Sequence, residues 1–184
     1  NKVILGTRAR KTRTRSFNAF SSIDYPETAV FRDTRLVTFL RRPTDQPPVR
    51  FYERLEPAVF VLRLVPGMRA DIIPLLAPHY RALVLESFGV GGLPGGEHGE
   101  MFAALRCWCE SGRLAVFTTQ VPHEGCDLAV YEVGRAVGEL PGVLEARDMT
   151  PEAVAVKLMW ALGQTDDREK AARLFETPIE YDIM

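Results

Sequence analysis

The sequence is short of cysteine, short of histidine and without a long apolar run, and each shortage removes a class of protein. Cys107, Cys109 and Cys126 are its only cysteines, an odd and sparse set. A small secreted domain stapled by disulfides needs a larger, even set, so the reducing cytoplasm is the expected setting. No apolar stretch approaches the roughly 18 residues a membrane span requires, and no signal peptide opens the chain, so no membrane partner is expected. Internal repeats and low-complexity tracts are also missing, which sets aside solenoid and disordered architectures. What remains is 184 residues with 46% hydrophobic and 26% charged side chains, enough to bury a real core.

The net charge of -1 hides a division. Residues 1–50 carry 11 Lys+Arg against 4 Asp+Glu, whereas residues 51–184 carry 12 against 20. The basic cluster Arg8, Arg10, Lys11, Arg13 and Arg15 meets no aromatic residue before Phe17 and no nucleic-acid-binding motif accompanies it. It reads as a basic loop facing an acidic surface or an anionic substrate, not as a nucleic-acid interface.

The chain opens on Asn1, not Met, and Lys2-Val3-Ile4-Leu5 reads as a short buried strand running into Gly6. Such a strand needs neighbours on both sides, and a parallel one also needs covering helices, so the chain is expected to begin inside a larger fold. Ala29-Val30-Phe31 and Leu36 to Leu40 are strand-like around a turn at Arg32–Arg35, and Pro43, Pro47 and Pro48 punctuate a polar linker. Beyond it, strands at Val59–Leu62, Arg81–Leu85 and Leu114–Phe117 alternate with helices predicted over 69–79 and 97–111. Met101, Leu105 and Trp108 share one face of the second helix, which should stop at Gly112. Thr150 and Pro151 open a helix with Val154, Leu158 and Ala161 on one face, Gly163 is read as its end, and a last helix follows over 166–176. Strand–helix alternation in short units predicts a parallel sheet.

An ordered set of motifs then resembles a known family. Gly6-Thr7-Arg8-Ala9-Arg10-Lys11 precedes Phe17-Asn18-Ala19-Phe20-Ser21-Ser22, and Val65-Pro66-Gly67 follows a strand. Glu86-Ser87-Phe88-Gly89-Val90-Gly91 and Thr118-Thr119-Gln120 end the next two strands. Asp127 to Gly134 opens a helix, and Asp148-Met149-Thr150 with Glu152-Ala153 and Lys157-Leu158 closes the series. In this order the motifs resemble the later part of the bacterial L-asparaginases, the cytoplasmic type I enzymes above all. The resemblance implies an α/β fold in which residues 1–55 are the end of the asparaginase N-terminal domain plus a linker. Residues 56–184 are then a small three-layer α/β/α domain with a parallel sheet.

It also implies an amidohydrolase that turns L-asparagine and water into L-aspartate and ammonia without metal or organic cofactor, as a homodimer or homotetramer. The threonine nucleophile and the His-Gly-Thr-Asp-Thr segment of the family belong to an earlier half and do not occur here, so this chain is expected to need its own N-terminal half. Lys11 matches the family's catalytic lysine, six residues before the first Phe of the Phe-x-Ala-Phe segment, and Arg8 matches the loop arginine. A lysine kept neutral by cationic neighbours and partial desolvation can take a proton from a hydroxyl; the alternative is one more solvated charge. Glu124 and Asp127 follow the third strand, where the family closes its neighbour's active site, and are candidates to meet the substrate ammonium group; a solvated acidic loop is the equal alternative. Departures from the type I pattern are Gly92, Glu86 and Val121, which stand where such enzymes carry Asn, Arg and Cys. The charge reversal at Glu86 argues against activation by asparagine.

Two rival motifs fail. Gly89-Val90-Gly91 lacks the third glycine of a dinucleotide fingerprint, because Pro94 stands there, and no acidic residue ends a strand about 20 residues on. His123, Glu124, Cys126 and Asp127 cluster, but zinc sites need well-spaced ligand pairs and no second pair exists. Within the same fold, the alternatives are the asparaginase-like subunit of a tRNA-dependent amidotransferase and a non-catalytic binding module.

Overall fold

The structure, a computed structural model, describes residues 1–40 and 48–184. Pro43 and Pro47 of the expected linker lie outside the described residues. The chain opens with five short strands: β1 (Lys2–Val3), β2 (Ala9–Lys11), β3 (Phe20–Ser22), β4 (Ala29–Arg32) and β5 (Arg35–Thr38). All their pairings are antiparallel. β2 pairs with β3 in a ribbon of three residue pairs, and β1 lies at the edge of the sheet β1-β4-β5. The strand expected over residues 2–5 is therefore shorter than read and, among the described residues, has one antiparallel neighbour where neighbours on both sides were expected. The cause is local: a 3-10 turn at Gly6–Arg8, with the Arg8 amide donating to the Leu5 carbonyl at 3.1 Å, turns the chain away.

The rest builds an α/β unit. β6 (Val59–Arg63), α1 (Ile72–Leu76), β7 (Ala82–Ser87), α2 (Glu100–Glu110), β8 (Leu114–Thr119), α3 (Glu132–Gly138), β9 (Val143–Glu145), α4 (Pro151–Gln164) and α5 (Arg168–Glu176) follow in order. The four strands pair in parallel, in the spatial order β6-β7-β8-β9. β8 is central and all six of its residues are buried, as a parallel strand covered on both faces requires. Because spatial order follows sequence order, crossovers of one hand place α1, α2 and α3 on the same face. Ile73, Met101, Leu105, Trp108 and Val137 from those helices accordingly share a core with Leu83, Leu85 and Phe117 of the sheet. On the opposite face Val154, Leu158 and Ala161 of α4 and Phe175 of α5 pack on Ala82, Val84, Leu114 and Val116. The result is the expected three-layer arrangement with a parallel sheet.

Individual helices sharpen the sequence reading. Pro151 occupies the first turn of α4 and the Thr150 hydroxyl accepts the Ala153 amide at 3.2 Å, as expected of an N-cap. Gly163, read as a terminator, lies inside α4. A side chain there would put a Cβ 2.6 Å from the Arg54 carbonyl oxygen, so the glycine admits a passing backbone and does not end the helix. α1 is only five residues long, with Pro74 in its first turn where the missing N–H costs nothing. β9, which follows Pro141-Gly142, is a fourth strand that the sequence pattern did not mark.

Candidate active site

Lys11 ends β2, faces Phe20 of β3 across the ribbon and is exposed. Beyond it the Thr12 amide donates to the Ala19 carbonyl at 2.8 Å, closing a polar tip whose Phe17 is fully exposed. The base of the hairpin is different. Arg8, three residues before Lys11, has 0% of its surface exposed. Its Nε donates to the Tyr181 carbonyl at 2.7 Å and its Nη1 to the Asp148 carbonyl at 2.8 Å, while Nη2 lies 2.9 Å from Asp148 Oδ2. The guanidinium also stands over the Tyr25 ring, 5.6 Å from its centroid. One of the five cations read as a basic loop facing an acidic surface or an anionic substrate is thus a buried arginine paired with Asp148.

The loop after β8 is fastened from both sides. Gln120 Nε2 donates to the carbonyls of Leu64 and Glu86, at 2.6 and 2.9 Å, tying the carboxyl ends of β6, β7 and β8 together. Asp24 reaches it from the base of the hairpin, where Ile23 donates to the Arg8 carbonyl at 2.9 Å. Asp24 Oδ1 lies 3.0 Å from His123 Nδ1, and Oδ2 accepts the Glu124 amide at 3.1 Å. Glu124 itself is exposed and in the left-handed region, at φ 75°. The adjacent Gly125 packs so closely on Arg147 that a Cβ would sit 2.5 Å from its carbonyl oxygen. Asp127 is exposed and its Oδ1 accepts the Ala129 amide at 2.8 Å, turning the chain toward α3. The structure thus joins the hairpin base to the Glu124 loop, while Lys11 lies further along the ribbon, on a strand whose three residues rise about 3.3 Å each.

The other members of the acidic cluster have separate duties. Cys126 is buried, its Sγ donates to the Val90 carbonyl at 3.2 Å, and desolvation pushes its thiol up to about 12. Burial likewise raises Cys109 to about 11, so neither is a thiolate near neutral pH. Desolvation first, then the carboxylate of Asp127, hold Glu145 at the end of β9 above the usual carboxylate range. Glu86 lies 3.5 Å from Arg63 of the neighbouring strand, which supplies a local positive charge. Among the described residues, no group of three or more His, Cys, Asp or Glu is arranged to hold a metal ion. No helix among them is long and apolar enough to cross a membrane.

A four-stranded parallel sheet covered on both faces, with loops from its carboxyl edge meeting a lysine-bearing hairpin, defines a class that the family comparison names. Residues 58–175 match the glutaminase/asparaginase C-terminal domain, and the chain belongs to that family. Among curated proteins it is 38% identical over 184 residues to the L-asparaginase of Thermococcus kodakarensis, covering 100% of this chain and 55% of that protein. It is also 35% identical to a glutamyl-tRNA(Gln) amidotransferase subunit of Metallosphaera sedula, covering 96% of this chain and 40% of that protein. The solved structure of the thermostable T. kodakarensis L-asparaginase superposes with a TM-score of 0.85 at 35% identity, over 100% of this chain and 55% of that one. L-asparaginase I of Vibrio cholerae gives the same TM-score at 26% identity, with the same coverage of both chains. The chain spans about half the length of the relatives it matches. Archaeal and bacterial relatives stand side by side among these matches.

Proposed function

We propose that this chain is the C-terminal portion of a cytoplasmic L-asparaginase and works only with an N-terminal half. Residues 1–55 complete the N-terminal domain and 56–184 form the small one. The supporting observation is that the likeness to the T. kodakarensis asparaginase runs through the Lys11 hairpin, outside the matched C-terminal domain, to the last residue. In this reading a threonine of the other half attacks the side-chain amide carbon of asparagine. The C–N bond breaks, ammonia leaves, and water releases aspartate. Lys11, as the neutral amine, takes the hydroxyl proton and returns it to the departing nitrogen, which leaves as ammonia, and Glu124 or Asp127 meets the substrate ammonium group in a neighbouring subunit of a homodimer or homotetramer. Lys11 is exposed here, so the desolvation that chemistry needs is supplied by the N-terminal half closing over it. No cofactor or metal takes part.

The amidotransferase relatives carry the second reading, in which the same fold serves a tRNA-dependent amidotransferase. Ammonia release from asparagine separates the two. The full-length protein should release ammonia from asparagine without tRNA, and the 184-residue chain alone should release none above background. Turnover by the chain alone, or by the full-length protein only when glutamyl-tRNA(Gln) is supplied, overturns the proposal.

A further inference from the structure

An arginine with no exposed surface must have its donors met, because an unpaired buried charge is costly. The carbonyls that accept from Arg8 Nε and Nη1, and the carboxylate paired with Nη2, all lie outside the hairpin. Its acceptors are 140 and 173 residues away, in the loop between β9 and α4 and in the tail beyond α5. Both segments are themselves held in place. Asp148 Oδ1 accepts the Met184 amide at 2.9 Å, and the Thr150 hydroxyl donates to the Thr7 carbonyl at 3.3 Å. In the tail, Glu180 and Tyr181 adopt φ of 50° and 61°, and Asp182 forms a 2.8 Å ion pair with Lys157 of α4, both side chains being at most 5% exposed. Non-glycine residues stay in that backbone region only where their surroundings fix them. The Tyr181 carbonyl is therefore presented to Arg8 ready-made.

The hairpin that Arg8 roots has little rigidity of its own. It is a two-stranded ribbon of three residue pairs, and such ribbons are marginal in isolation. At about 3.3 Å per residue, Lys11 stands on an arm of about 10 Å from the Arg8 backbone. A rotation of about 6° at the root would move it by about 1 Å, a misplacement that can cost about 100-fold in rate.

We propose that Arg8 is a positioning residue for Lys11: its buried fork fixes the root of the hairpin to the Asp148 loop and the C-terminal tail, so that the α/β unit sets where the lysine stands. This rests on the reading of Lys11 as the catalytic lysine. Lysine in place of Arg8 keeps the charge and most of the stem but cannot serve the Tyr181 and Asp148 acceptors with a planar fork.

The test compares Arg8→Lys, Asp148→Asn and Lys11→Met in the full-length enzyme, with Leu105→Ala, in the core on the far side of the sheet, as a matched loss of stability. Arg8→Lys should lower kcat for asparagine at least tenfold with KM within about threefold, and Asp148→Asn should lower it less, because the backbone carbonyl remains. Leu105→Ala should keep kcat within twofold at a similar or larger drop in Tm. Hydrogen exchange read without substrate should be at least tenfold faster at the Thr12 and Ile23 amides of Arg8→Lys, and unchanged in β7 and β8. A kcat for Arg8→Lys within twofold of wild type, with Lys11→Met inactive, overturns the positioning role and leaves the catalytic reading standing. Unaltered exchange at those amides overturns it as well. An active Lys11→Met overturns both.

Discussion

The two parts of this molecule are held together by different physics. In the α/β unit, apolar side chains from both faces of one sheet vanish into two cores, and Leu83, Val84, Phe117 and Leu158 have no exposed surface. In residues 1–40 the large apolar side chains Phe17, Phe20, Phe31, Leu36 and Phe39 stay exposed, and the segment is attached by polar locks. Arg8 binds Asp148 and Tyr181, Asp24 binds His123 and the Glu124 amide, and Thr150 binds the Thr7 carbonyl. Burial is non-directional and stabilises the unit that owns it. Hydrogen bonds to charged groups are directional, and they set where a neighbour stands more than how firmly it folds. The first region is thus placed by the second without sharing its core.

The largest effect expected on that contrast is chemical. Lys11→Met in the full-length enzyme should lower kcat by about 100- to 10,000-fold with the circular dichroism spectrum unchanged, the usual range for a lost general base. Arg13→Met and Arg15→Met remove the same charge from the hairpin tip and should change the rate by less than about tenfold. Equal effects from all three would make Lys11 a solvated charge.

Next in size is a polar group inside the apolar unit. Lys157→Met strands the buried Asp182 carboxylate and should cost about 3–5 kcal/mol in urea unfolding of the 184-residue chain. Core and sheet can then be set against each other directly. Leu158→Ala should cost about 2–5 kcal/mol, whereas Phe31→Ser on the exposed hairpin should stay within about 0.5 kcal/mol. A large loss from Phe31→Ser would mean that the first region does share a core with the second.

The smallest effect is a titration. Glu56 accepts the Ala58 amide at 2.9 Å and pairs with Arg81 at 3.0 Å; the amide first and the guanidinium second hold its carboxyl below the ordinary value of 4.5. With the folded pKa below the unfolded one, the contribution is present above pH 4.5 and fades as pH falls through the folded value. Glu56→Gln should therefore flatten the pH dependence of stability below pH 4.5, by less than about 1 kcal/mol for so accessible a pair.

What could be read in advance follows the same division. α4 was legible because its cap, its proline and its apolar stripe at Val154, Leu158 and Ala161 are local signals. The three strands β6, β7 and β8 announced themselves as apolar runs. β9 did not, because three residues after Pro141-Gly142 are too few to show a period. Gly163 misled because a glycine that admits the Arg54 backbone looks, in sequence, like one that ends a helix. Of the candidate site, the family resemblance singled out Lys11 and Arg8 from the basic cluster, but nothing local showed that Arg8 is buried. Its burial is decided by acceptors 140 and 173 residues away, and no local pattern carries that.

That distance has a meaning on the ribosome. The hairpin leaves the ribosome before the α/β unit, and the carbonyl that completes the setting of its arginine belongs to a residue synthesised 173 positions later. At about 5–20 residues per second, the interval is about 9 to 35 s. Throughout it Arg8 must keep its water, and the Lys11 arm cannot take its final place. Assembly of this part of the molecule is therefore timed by a residue made 173 positions after its arginine.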